Sequence, residues 1–176
     1  MNIRQALLTE DNNIVRHQIV TYIERNPTVF EELMQCFFDT DYRMNQKATW
    51  SLGKLVENNP TLIEPYLEQM IDKLEDQEIL VGLKRNIYRT LQWATVPEKL
   101  EGKMLDMSFK DLMSRSEPVA VRVFAMTVAF NIAIKYPELA AELKQVLATD
   151  LPHGSAGYKA RAKKLIKAID SKSIAS

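Results

Sequence analysis

Ile23-Glu24-Arg25-Asn26-Pro27-Thr28-Val29-Phe30-Glu31 returns 33 residues later as Val56-Glu57-Asn58-Asn59-Pro60-Thr61-Leu62-Ile63-Glu64, with five of the nine positions identical. Shorter relatives follow at Val96-Pro97-Glu98-Lys99-Leu100 and Tyr136-Pro137-Glu138-Leu139-Ala140. Proline drives the residue before it out of the helical region, yet sits without cost at the first position of a helix, where its N–H would be unpaired. Asn26 and Asn59 are the residue type that caps a helix start, the side-chain oxygen accepting from a free backbone N–H. Glu98 and Glu138 fall next to their prolines, near the positive end of a helix dipole. Each X-Pro pair therefore reads as a joint between two helices.

The flanks of the joints carry the matching pattern. Val29, Phe30, Leu33, Met34, Phe37 and Phe38 follow Pro27, and Leu62, Ile63, Tyr66, Leu67, Met70 and Ile71 follow Pro60 at the same offsets. That spacing is a one-sided stripe of helical period. A weaker copy after Pro137 runs through Leu139, Leu143, Val146 and Leu147. After Pro97 the stripe keeps Leu100 and Met104 but then shifts to Phe109, Leu112 and Met113, which predicts an irregular turn there. The helices before the joints, at roughly 12–25, 42–58, 79–95 and 118–135, are more apolar and are expected to form the inner layer. A last helix at about 156–170 would cap the stack, with breaks near 39–41, 75–78, 114–118 and 152–155. One helix pair cannot bury both of its faces, so pairs stack on pairs. The expected fold is all-α, a short right-handed α-α superhelix of about four helix pairs plus a cap, forming one domain over 1–176.

Composition agrees. Of 176 residues, 46% are hydrophobic and 26% charged, as in ordinary folded chains, while 5 Gly and 7 Pro are too few for a turn-rich sandwich. The 23 basic and 23 acidic residues cancel, which weakens the case for a dedicated nucleic-acid binder. A single cysteine, Cys36, cannot make an internal disulfide and fits a reducing compartment; beside Phe37 and Phe38 it reads as a core thiol. Met1 to Gln5 lacks the apolar run of a secretory signal, and Val119–Ile134 is interrupted by Arg122, Thr127 and Asn131, too polar for a membrane span. The cytoplasm is the expected location.

With the repeat established, the chain resembles HEAT and armadillo-type helical repeats over nearly its whole length. Repeats of 33 to 40 residues with a proline near the joint are their habit. Ala48-Thr49-Trp50-Ser51-Leu52-Gly53, Leu83-Lys84-Arg85-Asn86-Ile87 and Ala120-Val121-Arg122-Val123-Phe124-Ala125-Met126 are also similar to a family of small bacterial HEAT-like proteins. Members of that family sometimes carry the label adenylosuccinate lyase, whose Met-Pro-Lys-Asn signature loop has no counterpart in this chain. HEAT-like DNA glycosylases are similar in fold type and use Trp, Asp and Arg on a basic concave face. Trp50, Trp93, Arg85, Arg89 and Arg122 are residues of those types, although no local motif assigns them those roles.

Candidate functional residues come from a ladder of bases, Arg16, Lys47, Lys84, Arg85, Arg122, Lys159 and Arg161, at intervals near one repeat. Such a ladder either lines a groove for a partner or pairs with carboxylates and carbonyls of the next repeat. The second reading is favoured, because Arg122 lies inside an apolar run and a buried arginine has to be paired. The binding edge, if there is one, is assigned to Lys47, Trp50, Lys84, Arg85, Arg89 and Arg122. Charge is also uneven along the chain, acidic from Glu57 to Glu78 and basic through Lys159, Arg161, Lys163, Lys164 and Lys167. Solvated faces account for that, with weak head-to-tail self-association of a monomer as the minor alternative. His17 and His153 are far apart and without Cys or His at ligand spacing, so no metal site is expected. Leu151 to Gly157 reads as a connector capped by Ser155, and the Met and aromatic residues from Met104 to Phe130 as core. No catalytic constellation or cofactor loop is present. The expected function is a non-enzymatic protein- or peptide-binding module, off the membrane and without cofactor. The alternative is nucleic-acid binding or alkylated-base repair of the glycosylase type.

Overall fold

The Asn-Pro joints fold the chain as proline requires. Asn26 (φ −136°, ψ 72°) and Asn59 (φ −142°, ψ 88°) both leave the helical region, and Pro27 and Pro60 each open a 3₁₀ turn. The capping role expected of the two asparagine side chains is corrected by the structure. Asn26 Nδ2 donates back to the Tyr22 carbonyl at 2.9 Å, and Asn59 Oδ1 accepts from the Thr61 hydroxyl at 2.7 Å. The N–H groups of Val29 and Leu62, which such a cap would serve, already bond the main-chain carbonyls of Asn26 and Asn59. A 3₁₀ entry therefore satisfies internally the donors that an α-helical entry leaves open.

The computed structural model describes residues 1–9 and 12–174, and its regular structure there is entirely helical. The α-helices are α1 (Ile3–Thr9), α2 (Asn13–Arg25), α3 (Phe30–Phe37), α4 (Tyr42–Asn58), α5 (Leu67–Glu75), α6 (Val81–Leu91), α7 (Glu98–Met113), α8 (Val119–Ala133), α9 (Pro137–Asp150) and α10 (Ala156–Ile174). The stripes after Pro27 and Pro60 are buried as expected, with Phe30, Leu33, Met34, Phe37, Ile63, Leu67, Met70 and Ile71 in the core. Pro65 lacks a donor for a continuing α-helix, so the second 3₁₀ run extends over Pro60–Tyr66 and α5 starts late.

No irregular turn interrupts the segment after Pro97; α7 is continuous over 16 residues. Its inward face is Glu101, Met104, Leu105, Ser108, Asp111 and Leu112, a regular i, i+3, i+4 stripe with three polar members. Those polar members hid the stripe from a reading based on apolar spacing. Glu101 is satisfied by the Lys135 ammonium and, at 2.6 Å, by the Tyr136 hydroxyl; these two bonds hold its carboxyl below the usual carboxylate range.

The chain gathers into two compact units, residues 1–70 with 78–95, and residues 71–77 with 96–176. In the first, α2, α4 and α6 lie side by side, α3 packs on α4, and α1 contacts α2, α3 and α4. Helix α1, too short for a periodic signal, was not expected; it buries Ile3 and Leu7. Cys36 is buried, and burial pushes its thiol upward, as suits a core residue. A polar thread crosses this core: Asn45 donates to the Phe37 carbonyl, and its Oδ1 accepts from Asn86 Nδ2 at 2.8 Å. The Thr49 and Thr90 hydroxyls, one turn on, donate to the Asn45 and Asn86 carbonyls. In the second unit α8 packs against α7, α9 and α10, and α9 packs against α10. Ser155 accepts from the Tyr158 N–H at 3.3 Å and so caps α10, as read from the sequence.

Asn86→Ala strands the side-chain oxygen of buried Asn45. The expected loss is about 1–3 kcal/mol, read from urea or thermal unfolding, with the helical circular dichroism of the folded state unchanged.

Candidate functional site

Side chains four apart on a helix share a face. On α4 that rule puts exposed Gln46 and Lys54 together with half-buried Trp50, and on the neighbouring α6 it puts half-buried Arg85 with exposed Arg89. Trp93, 44% exposed, follows one turn beyond Arg89. His17 of α2 packs against Trp50 with ring centroids 4.8 Å apart and the rings tilted by 56°, and its Nδ1 lies 2.6 Å from the Asn13 carbonyl. Alongside His17 is an open hollow of about 730 Å³ lined by Met1, Ile14, Tyr22 and Arg25 among others, with Ile14 69% exposed. Helices α2 and α4 of the first unit thus meet at an exposed imidazole and a half-buried indole, and the neighbouring α6 carries exposed Arg89 and half-buried Arg85. Sequence reading had named Trp50, Arg85 and Arg89 here but not His17 or Lys54. The signal for Lys54 was available, since it lies one helical turn from Trp50.

Gly53 sits between these residues in the middle of α4. A β-carbon there would meet nothing within 4 Å, so no packing contact requires glycine. By contrast, a β-carbon on Gly82 would run into the Tyr42 ring.

Other members of the basic ladder are engaged within the fold to differing degrees. Lys47 Nζ donates to the Leu7 carbonyl at 2.9 Å, tying α4 to the last turn of α1. Lys84 is half-buried, and Arg85 reaches Asn86 Oδ1 at 3.3–3.4 Å, leaving its charge without a carboxylate. Arg122 belongs to the second unit and is 8% exposed. Its Nε donates to the Leu112 carbonyl at 2.9 Å, its terminal nitrogen pairs with Asp150, and its guanidinium lies over the Tyr158 ring, 4.7 Å from the centroid. Arg161 donates to the Thr127 hydroxyl at 3.1 Å. The pairing role expected for a buried Arg122 is therefore what the structure shows.

Around Arg122, burial alone would raise the Asp150 carboxyl, but the hydrogen bond and charge of Arg122 outweigh it and leave that carboxyl below its usual range. Burial, with Asp150 adding its charge, pushes the Tyr158 phenol up to about 12. Among the described residues no group of three or more His, Cys, Asp or Glu side chains could hold a metal ion, and no helix is long and apolar enough to cross a membrane.

The repeated joints, the paired helices and the side-by-side first helices agree with one comparison: the HEAT repeat domain family matches residues 3–169. The chain is a member of that family. No curated protein matches it, and no solved structure does. Within a HEAT repeat domain Lys47, Arg122 and Arg161 perform the repeat-to-repeat work, and the outward residues Trp50, Arg85 and Arg89 stand apart from it.

Arg122→Met leaves Asp150 close to buried and without its main counter-charge. A loss of about 3–5 kcal/mol is expected. Asp150 and Glu101 both titrate low in the folded state. Their contribution is therefore present above the unfolded carboxylate pKa and is lost as pH falls through the depressed folded values. In Arg122→Met, Asp150 loses that depression, so acid unfolding, followed by circular dichroism, should begin at a higher pH than in the parent.

Proposed function

We propose that this HEAT repeat domain is a non-enzymatic protein- or peptide-binding module, and that its contact surface is the outward face of α2, α4 and α6. The supporting observation is half-buried Trp50 in ring contact with exposed His17, on a helix whose neighbour carries exposed Arg89. Tryptophan and arginine dominate the energetics of protein interfaces, where an aromatic anchor is held in a preset geometry. Gly53 adds to the reading: mid-helix glycine costs about 1 kcal/mol relative to alanine, and nothing inside the protein accounts for it. A partner backbone approaching at that point would.

The same mixture of indoles and bases favours a second reading, nucleic-acid binding, in which bases stack on Trp50 and phosphates meet Arg85 and Arg89. Salt separates the two, because released counterions supply most of the affinity for a polyanion.

Capture from lysate by the parent chain and by Trp50→Ala/Arg89→Ala is the direct test. A discrete protein retained at moderate salt by the parent alone supports the module. Nucleic acid lost as salt rises replaces it with the second reading, and equal retention by both chains removes this face. Gly53→Ala should stabilise the free domain by about 1 kcal/mol in thermal unfolding while weakening capture. Better stability with unchanged capture would separate Gly53 from binding.

A further inference from the structure

We infer that the face formed by α4 and α6 takes an acidic peptide segment that carries an apolar anchor, and this rests on the binding-module reading above. The formal charge of the whole chain is zero, but it is sorted by helix. Arg43, Lys47, Lys54, Lys84, Arg85 and Arg89 lie on α4 and α6, opposed within those helices by Glu57 alone. Glu57 is itself tied to Lys54 at 3.1 Å. The connecting segments 27–41 and 60–70, which hold the second-layer helix α3 and the start of α5, reverse the sign. They carry Glu31, Glu32, Asp39, Asp41, Glu64 and Glu68 and no base.

Two of the bases keep their charge for an incoming group. Among the described residues neither Arg85 nor Arg89 has a carboxylate partner, and guanidinium groups pair carboxylates through two parallel hydrogen bonds.

The extent of the field decides between a peptide and a longer polyanion. Asp41 caps the start of α4 and Glu57 closes its end, while Glu78 precedes α6. The basic window is therefore about 24 Å along α4, the reach of roughly seven extended residues. A nucleic-acid strand carries its charge past both ends of that window and meets carboxylates there. A short acidic segment stops within it. The hollow on α2 beside His17, which is itself in ring contact with Trp50 of α4, has exposed Ile14 on its wall and offers the matching apolar seat.

The test is selection of a random peptide display library on the immobilised full-length chain, followed by titration of the selected synthetic peptides. The parent should enrich sequences with several Asp or Glu flanking an apolar residue. Arg89→Glu and Arg85→Glu/Arg89→Glu should bind them at least tenfold more weakly. Lys164→Glu, the same charge reversal at an exposed position of α10, should leave binding unchanged. Arg89→Gln, which makes no demand on the Arg85–Asn86 contact, guards against loss by unfolding and should weaken binding in the same direction. Enrichment of neutral or basic peptides overturns the acidic assignment while leaving the binding-module reading in place, and no enrichment removes both. Acidic peptides indifferent to both arginines, or an oligonucleotide of equal charge binding more tightly than they do, overturns the inference.

Discussion

Proline disfavours a helical conformation in the residue before it, and at the two Asn-Pro joints that preference falls where the helices must turn. Asn26 and Asn59 leave the helical region because Pro27 and Pro60 follow them, and the chain then doubles back through a 3₁₀ turn. The apolar stripe of the next helix therefore starts at a fixed distance from the joint, which sets which residues meet the core. From Pro27 that distance brings Phe30, Leu33, Met34 and Phe37 inward; from Pro60 it brings Ile63, Leu67, Met70 and Ile71. Because each pair buries one side on the next, the outward face of α2, α4 and α6 is released from structural duty.

Polar groups then divide the labour between inside and outside. Inside, several charges and amides are answered: Asn86 by Asn45, Lys47 by a helix-end carbonyl, Arg122 by Asp150 and Leu112, Glu101 by Lys135 and Tyr136. Among the described residues Arg89 has no such counterpart, and Arg85 has only a neutral one. A ladder that looks uniform along the sequence thus contains side chains that differ in how far the fold engages them.

The fold was legible because its two main signals, proline joints and 3.6-residue stripes, are local. Where the stripe includes polar members the signal failed. Glu101, Ser108 and Asp111 are core positions of α7, but their chemistry made a continuous helix look broken. The asparagine caps were misjudged for a related reason: a side chain's potential to accept was visible, whereas the backbone bond that had already taken the donor was not. At the candidate face, Trp50, Arg85 and Arg89 could be named by type and spacing, but the His17–Trp50 ring contact joins residues 33 apart in the chain and depends on how α2 lies against α4. The charge imbalance was read as running between two ends of the sequence. Within the first unit it separates successive helices, since bases gather on α4 and α6 and acids on α3 and the neighbouring turns.

That sorting has a consequence for the bulk behaviour of the protein. Near its isoelectric point of about 6.8 the molecule has no net charge to keep copies apart. The first unit still separates bases on α4 and α6 from acids on α3 and the neighbouring turns, so oppositely charged faces of neighbouring molecules attract. Dissolved ions screen this over about 10 Å at 0.1 M. Close to neutral pH the protein should therefore salt in, dissolving better as the ionic strength rises from very low values.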